Sequence, residues 1–331
     1  MHDNKFRENV LGQNKLLIAF EVVPPSVGVV EENGGLEQHA QNLIRKLGPQ
    51  INDLCALLLP EISNGVKKYV KPRDYAVALG RLTLKNLVLY HVSVSQPVDA
   101  QAEWLQETAK MGYRNIIPVG GDSSQLVYSG PSPIEFALIT DRLNSGFFQG
   151  AVCIPSRGMV PRNGRSFNFN PELEPRRMIE KERANMRYHV TQVIYDTRDL
   201  ENMFEIYKII CERAEQQPSR IFIGVTPVLD ESNLTFLERR LDVVVPEHFK
   251  RKIGASYGPT SIPKTSMTHI IEMLQRFFDK TYAKYPNSRF GVYVETIRTD
   301  GMGICVDFLG KVKEVLKCYQ NMTLHGVGTV E

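Results

Sequence analysis

The chain alternates between short apolar runs and longer stretches in which apolar positions recur at helical spacing. A run of four to eight apolar residues is typical of a buried parallel strand, because other elements cover both of its faces. Eight runs predict strands, at 16–22, 54–59, 87–94, 115–119, 151–154, 189–195, 221–225 and 290–294. The stretches between them predict helices, as in the stripe formed by Leu36, Ala40, Leu43, Ile44 and Leu47.

Eight strands, each followed by a helix, predict an α/β fold of the closed (β/α)₈ TIM-barrel type. A doubly wound open sheet is the alternative, but no G-x-G-x-x-G motif follows the first strand. A long loop is expected at 155–175 after strand five, and extra helices at 229–287 before strand eight. We expect one domain over residues 1–331, with 1–14 as a flexible N-terminal extension.

Composition narrows the class of protein. The net charge of +3 is too small to indicate nucleic-acid or membrane binding. The five cysteines show no CxxC pair, which favours reduced thiols, a cytoplasmic location and no metal site. Glu21 and the following prolines interrupt the best candidate for a membrane segment or signal peptide, at 15–30. We therefore expect a soluble protein with a small-molecule substrate, and a homo-oligomer is possible.

Glu21 lies between strand-forming residues and is followed by Val22-Val23-Pro24-Pro25, which ends the strand. Partial burial at a strand exit would raise its pKa toward that of a general acid. A structural glutamate satisfied by a lysine or by backbone N–H groups is an equally good interpretation.

Active sites of such barrels lie at the carboxyl ends of the strands. Gly120-Gly121-Asp122 would allow close approach of a ligand and orient a polar ring, or would form an ordinary turn. The Gln192 amide would bind a heteroaromatic edge or a neighbouring strand end. The other polar residues at strand ends are Glu61, His91, Ser93, Arg157, Tyr195, Thr226, Glu295 and Thr296.

Residues 156–187 hold eight basic residues against four acidic ones. Together with Phe167 and Phe169 they would grip a diphosphate and stack an adenine. A solvated helix face explains about half of these charges equally well.

Four motifs together resemble methylenetetrahydrofolate reductase. They are Phe-Glu-Val-Val-Pro-Pro at 20–25, Gly-Gly-Asp at 120–122, Thr-Gln-Val-Ile-Tyr-Asp at 191–196 and Gly-Val-Thr-Pro-Val at 224–228. The order of these motifs along the chain and the alternation of strands and helices match the family from residue 16 onward. The resemblance implies reduction of methylenetetrahydrofolate to methyltetrahydrofolate by NAD(P)H through bound FAD, in one-carbon metabolism and methionine biosynthesis.

The resemblance also implies residue roles. Glu21 would protonate the bridging folate nitrogen, Asp122 would lie beside flavin and pterin, and Gln192 would bind the pterin or the nicotinamide. We expect Thr226 and Thr296 to contact substrate. FAD would be contacted by His91, Gly121, Asp122, Tyr128, Arg157 and Lys181.

The chain departs from the family pattern at Gly120, where the family has arginine, and at Ile154-Pro155-Ser156-Arg157-Gly158. The second segment resembles a flavin-independent branch, in which NADH would reduce the folate directly. Two further alternatives are a tetrahydrofolate-dependent methyl-transfer or demethylation enzyme and a non-catalytic subunit that binds folate or nucleotide.

Overall fold

Eight parallel strands form a closed barrel in chain order, so the last strand pairs with the first. The computed structural model describes residues 4–12, 15–32, 34–62, 68–83, 86–121, 128–160, 168–256, 258 and 261–324. The strands are β1 Leu17–Glu21, β2 Ala56–Leu59, β3 Asn86–Val92, β4 Asn115–Val119, β5 Phe148–Cys153, β6 Met186–Thr191, β7 Arg220–Val225 and β8 Phe290–Val294. The predicted fold class is confirmed.

Helices surround the barrel in the described part of the chain. They are α1 Lys5–Leu11, α2 Val27–Glu32, α3 Leu36–Leu47, α4 Pro72–Gly80, α5 Val98–Lys110, α6 Pro133–Arg142, α7 Leu173–Arg183, α8 Arg198–Arg213, α9 Glu231–Arg239, α10 Glu247–Gly254, α11 Ser261–Lys284 and α12 Met302–Leu324. The extra helices expected before strand eight are α9, α10 and α11. None of the described helices is both long and apolar enough to cross a membrane.

Two apolar layers hold the fold together. Outward strand residues pack against the helices in the larger cluster, which includes Phe20, Leu57 and Val292. Inward residues such as Ala19 and Tyr293 fill the barrel. This filling makes the barrel a packed core whose upper, carboxyl-terminal layer is left for polar side chains.

The N-terminal segment is packed where it is described, so the expectation of a flexible extension over 1–14 is wrong for α1. Phe6 and Val10 of this helix are buried inside the barrel, next to aromatic rings of β5, β6 and β7. Arg220, at the start of β7, is also buried and donates to the carbonyl oxygens of Val10, Gly12 and Lys15. The first helix therefore closes the lower end of the barrel.

The bounds of β5 and β6 differ from the predicted ones. Both strands begin three residues earlier, and β6 ends at Thr191 instead of residue 195. Arg187 is an exposed residue inside β6, and such polar residues break the apolar run on which the prediction rests. Residues 154–160 and 168–172 contain neither helix nor strand, as expected for the loop after strand five.

Candidate active site

Glu21 is the last residue of β1, and its side chain follows Leu17 and Ala19 on the inward face of the strand. Only 7% of the residue is exposed. Burial raises the pKa of the carboxyl well above its usual value, and the charge of Glu295 raises it further. A carboxyl in this environment favours its protonated form, as a general acid requires.

Glu295 lies directly beyond the end of β8, and its charge is the one that further raises the pKa of Glu21. The β1–β8 register pairs Phe20 with Val294, so the two glutamates are the next neighbours along adjacent parallel strands. Glu295 is also only 7% exposed. Burial raises its pKa to about 7, although the Tyr293 hydroxyl acts in the opposite direction.

Gly224 on β7 provides the space for the Glu295 side chain. A Cβ atom at this position would lie 2.8 Å from Glu295 Oε1 and 2.8 Å from the Tyr293 hydroxyl. It would also lie 2.9 Å from the carbonyl oxygen of Thr191, which accepts the Tyr293 hydroxyl proton at 2.6 Å. Any larger residue here would push these groups apart.

Two threonines hold the backbone of the two glutamates. The Thr226 hydroxyl donates to the carbonyl oxygen of Glu295 at 2.9 Å, and the Thr296 hydroxyl donates to that of Glu21 at 3.0 Å. Both threonines are buried. The structure thus brings Thr226 and Thr296 to the predicted site as supports of the carboxylates, and their contact with substrate stays a prediction.

Gln192 follows β6 at the same end of the barrel. Its Nε2 donates to the carbonyl oxygen of Leu241 at 2.7 Å, which fixes the orientation of the amide. Gln192 also borders a cavity of about 350 Å³ between the loops that follow β5 and β6 and the segment before α10. This volume lies within the range of ligand pockets.

His91, a predicted FAD contact, lies against α5. Its Nδ1 is 3.0 Å from Glu61 Oε2, its Nε2 is 2.5 Å from Gln101 Oε1, and its ring stacks on Trp104 at 3.8 Å. Burial of Glu61 opposes its ionisation, but hydrogen bonds from His91 and the Val92 N–H, with the charge of His91, lower its pKa overall. Both ring nitrogens are therefore already engaged by protein groups.

Arg157 and Lys181, two further FAD candidates, converge on Glu174, which is fully buried. Lys181 Nζ also donates to the carbonyl oxygen of Val152 at 2.6 Å, and Glu174 Oε1 accepts from the Ile154 N–H at 3.1 Å. Burial lowers the pKa of Lys181, and the Glu174 charge opposes this shift. These groups anchor the loop after β5 to α7.

The remaining predicted contacts lie around the exit of β4. The Tyr128 ring covers Gly121, where a Cβ atom would come within 1.9 Å of the ring. Asp122 lies outside the described residues, as do Arg162, Arg165 and Phe167 of the basic stretch.

Sequence reasoning placed Glu295 among the strand ends but gave it no role. Closure of the barrel could have indicated a role for Glu295, because it brings the ends of the first and last strands together. Glu21 and Glu295 therefore meet although 274 positions separate them in the chain.

No protein-family profile and no curated protein sequence matches this chain. Among solved structures, the chain is similar to an uncharacterized protein from Clostridium thermocellum described as binding two copies of 5-methyl-5,6,7,8-tetrahydrofolic acid. The TM-score is 0.74, with 16% identity over 94% of this chain and 99% of that one. A chain of the tryptophan synthase complex from Pyrococcus furiosus has a TM-score of 0.40, which is too low to inform function. At these identities the similarity shows the barrel fold.

Proposed function

We propose that this protein reduces 5,10-methylenetetrahydrofolate to 5-methyltetrahydrofolate with NAD(P)H. The observation that carries the proposal is the burial of the Glu21 carboxyl at the carboxyl-terminal end of the barrel, which raises its pKa well above the usual value. The four sequence motifs support the same reaction. Further support comes from the Clostridium protein, since the ligand in its description is the product of this reaction.

Glu21 supplies the proton for the first step. The carboxyl protonates N10 of the folate, the bond between N10 and the methylene carbon breaks, and an iminium cation remains at N5. The hydride of NAD(P)H then adds to the methylene carbon and leaves NAD(P)⁺, and Glu21 regains a proton from solvent. Positioned proton transfer of this kind contributes about 10²–10⁴-fold to a rate.

Gln192 would orient the pterin. Because its Nε2 donates to Leu241, the amide presents Oε1 as an acceptor for a pterin N–H group. The adjacent cavity of about 350 Å³ would take part of the folate. We propose Asp122 as a further pterin contact on the motif alone.

The described side chains do not fit FAD. The polar groups of His91, Arg157 and Lys181 already bind Glu61, Gln101, Glu174 and Val152, and the Tyr128 ring covers Gly121. Displacing them for a flavin would leave buried Glu174 without its cations, which is costly. We therefore propose that the hydride passes directly from NAD(P)H to the folate.

The Glu21→Gln variant tests the reaction. NAD(P)H oxidation with methylenetetrahydrofolate should fall by about 10²–10⁴-fold, because the amide has no proton to give. Folate binding, measured by calorimetry, should stay within a few-fold. The control is Glu182→Gln, a largely buried carboxylate bound to His189 on the outside of the barrel, which should keep its turnover.

Two results would contradict the proposal. Full turnover in Glu21→Gln would remove Glu21 as the acid, and a wild-type protein that never oxidises NAD(P)H with this folate would remove the reaction. An absorption spectrum before and after addition of FAD tests direct transfer. A stoichiometric flavin spectrum that NAD(P)H bleaches would refute it.

A further inference from the structure

Glu295 is the charged residue that acts on Glu21 in the described barrel, and the strand register fixes its position. Adjacent strands lie about 4.8 Å apart, and residues at the same level of a parallel pair point to the same side. Glu21 and Glu295 follow the paired residues Phe20 and Val294, so both carboxyls point into the barrel at one level. Thr226 and Thr296 hold this arrangement through the backbone.

The pair has no cation to neutralise it. Among the described residues, neither carboxyl forms an ion pair, and Glu295 Oε1 is buried without a hydrogen-bond partner. The Tyr293 hydroxyl donates to the carbonyl oxygen of Thr191 at 2.6 Å, and its contact with Glu295 only partly offsets the effect of burial on the pKa of that carboxyl. Two adjacent buried carboxylates cannot both be ionised at low cost, and a shared proton removes that cost.

We propose that Glu21 and Glu295 share one proton and that Glu295 is a positioning residue which keeps this proton on Glu21. The inference rests on the proposed function for its catalytic meaning, since a proton held on Glu21 serves the opening of the folate ring. The sharing itself is a property of the free protein.

The other titratable groups that face the pair are neutral. Tyr90 on β3 and Tyr293 on β8 have pKa values raised by burial and by the charges of both glutamates, and the pKa of Tyr195 after β6 is raised by burial and by Glu295. Burial also raises the pKa of the Cys305 thiol on α12, to about 12. Within the described barrel, these neighbours thus add no charge that would neutralise the pair.

Difference infrared spectroscopy of the free protein tests the sharing without substrate. The C=O stretch of a protonated carboxylic acid should persist in the wild type at pH 8. In Glu295→Gln the midpoint of its loss should fall by about 1–2 pH units, because the neighbouring charge is gone. Glu182→Gln should leave the midpoint unchanged, and an unchanged midpoint in Glu295→Gln would overturn the proposal. Glu295→Leu replaces this variant if the buried amide prevents folding.

The pH profile of kcat/KM tests the catalytic meaning. Glu295→Gln should stay near the wild type at pH 6 and lose about 10–100-fold at pH 8, as the basic limb moves to lower pH. An equal loss at every pH would contradict the proton-holding role. An infrared shift in a protein that never oxidises NAD(P)H would uphold the sharing and remove the proposed function. Normal turnover without an infrared shift would support the proposed function and refute the shared proton.

Discussion

Gly224 lies where an added methyl group would disturb the Glu295 carboxyl directly, so Gly224→Ala is the sharpest test of the site geometry. Its Cβ atom would lie 2.8 Å from both Glu295 Oε1 and the Tyr293 hydroxyl and 2.9 Å from the carbonyl oxygen of Thr191. Ordinary contacts begin at 3.4 Å, so the two side chains must each move by about 0.6 Å. Thr191 cannot retreat easily, because its carbonyl is backbone within the barrel.

The expected change in the free energy of unfolding of Gly224→Ala follows from two opposing effects. Overpacking of this kind costs about 1–3 kcal/mol, while the loss of glycine freedom in the unfolded chain returns about 0.4–1 kcal/mol. We expect the free energy of unfolding to fall by about 1–2 kcal/mol. A 1 Å misplacement can cost about 100-fold in rate, so a shift of about 0.6 Å should reduce folate turnover by roughly tenfold or more.

Two glycine variants provide matched controls, with stability measured by urea unfolding and turnover by NAD(P)H oxidation. In Gly291→Ala the Cβ atom would lie 2.6 Å from the Phe222 ring, deeper in the barrel, so stability should fall with little loss of turnover. Gly303→Ala on α12 meets nothing within 4 Å and should change neither. Wild-type stability and turnover in Gly224→Ala, or an equal loss of turnover in Gly291→Ala, would refute the reasoning.

Two further predictions concern stability. Arg220→Met should lower the free energy of unfolding by at least about 3 kcal/mol in urea, because each buried carbonyl left without a donor costs about 1 kcal/mol or more. Exposed Arg213→Met should have no effect. Since the pKa of Glu295 is raised to about 7, the folded state binds more protons than the unfolded state between about pH 4.5 and 7. Wild-type stability should therefore fall as pH rises through this window, by on the order of 3 kcal/mol, and Glu295→Gln should flatten this fall. Equal slopes in the two proteins would show that Glu295 does not titrate there.

The barrel could be predicted because each of its strands corresponds to a short apolar run in the sequence. The predicted bounds of the first strand are within one residue of the observed ones, since an apolar run ends at Glu21 and the prolines after it. The early start of β6 at Met186 differs from the predicted start at His189, because the exposed Arg187 interrupts the apolar pattern. Boundaries of this kind depend on which neighbours cover each residue, and a single sequence does not contain that information.

Features that depend on distant partners were not predictable. The seven-residue helix α1 is too short to be stable alone, and only Phe6 and Val10 mark its packed face. Likewise, Arg157 and Lys181 match a phosphate-binding pattern in the sequence, and nothing local indicates that buried Glu174 binds both. A local pattern shows which residue types are present, whereas tertiary contacts decide which of them are already engaged.

The closure of the lower end by α1 has a consequence for the order of folding. Arg220 binds backbone groups that precede it by 205 to 211 positions, and β1 finds its second neighbour only when β8 exists. The α1 helix therefore cannot complete its native contacts until residues at least 205 positions later in the chain are in place. Because such long-range contacts form slowly, folding of this barrel should end with the docking of α1 against Arg220 and the lower end of the barrel.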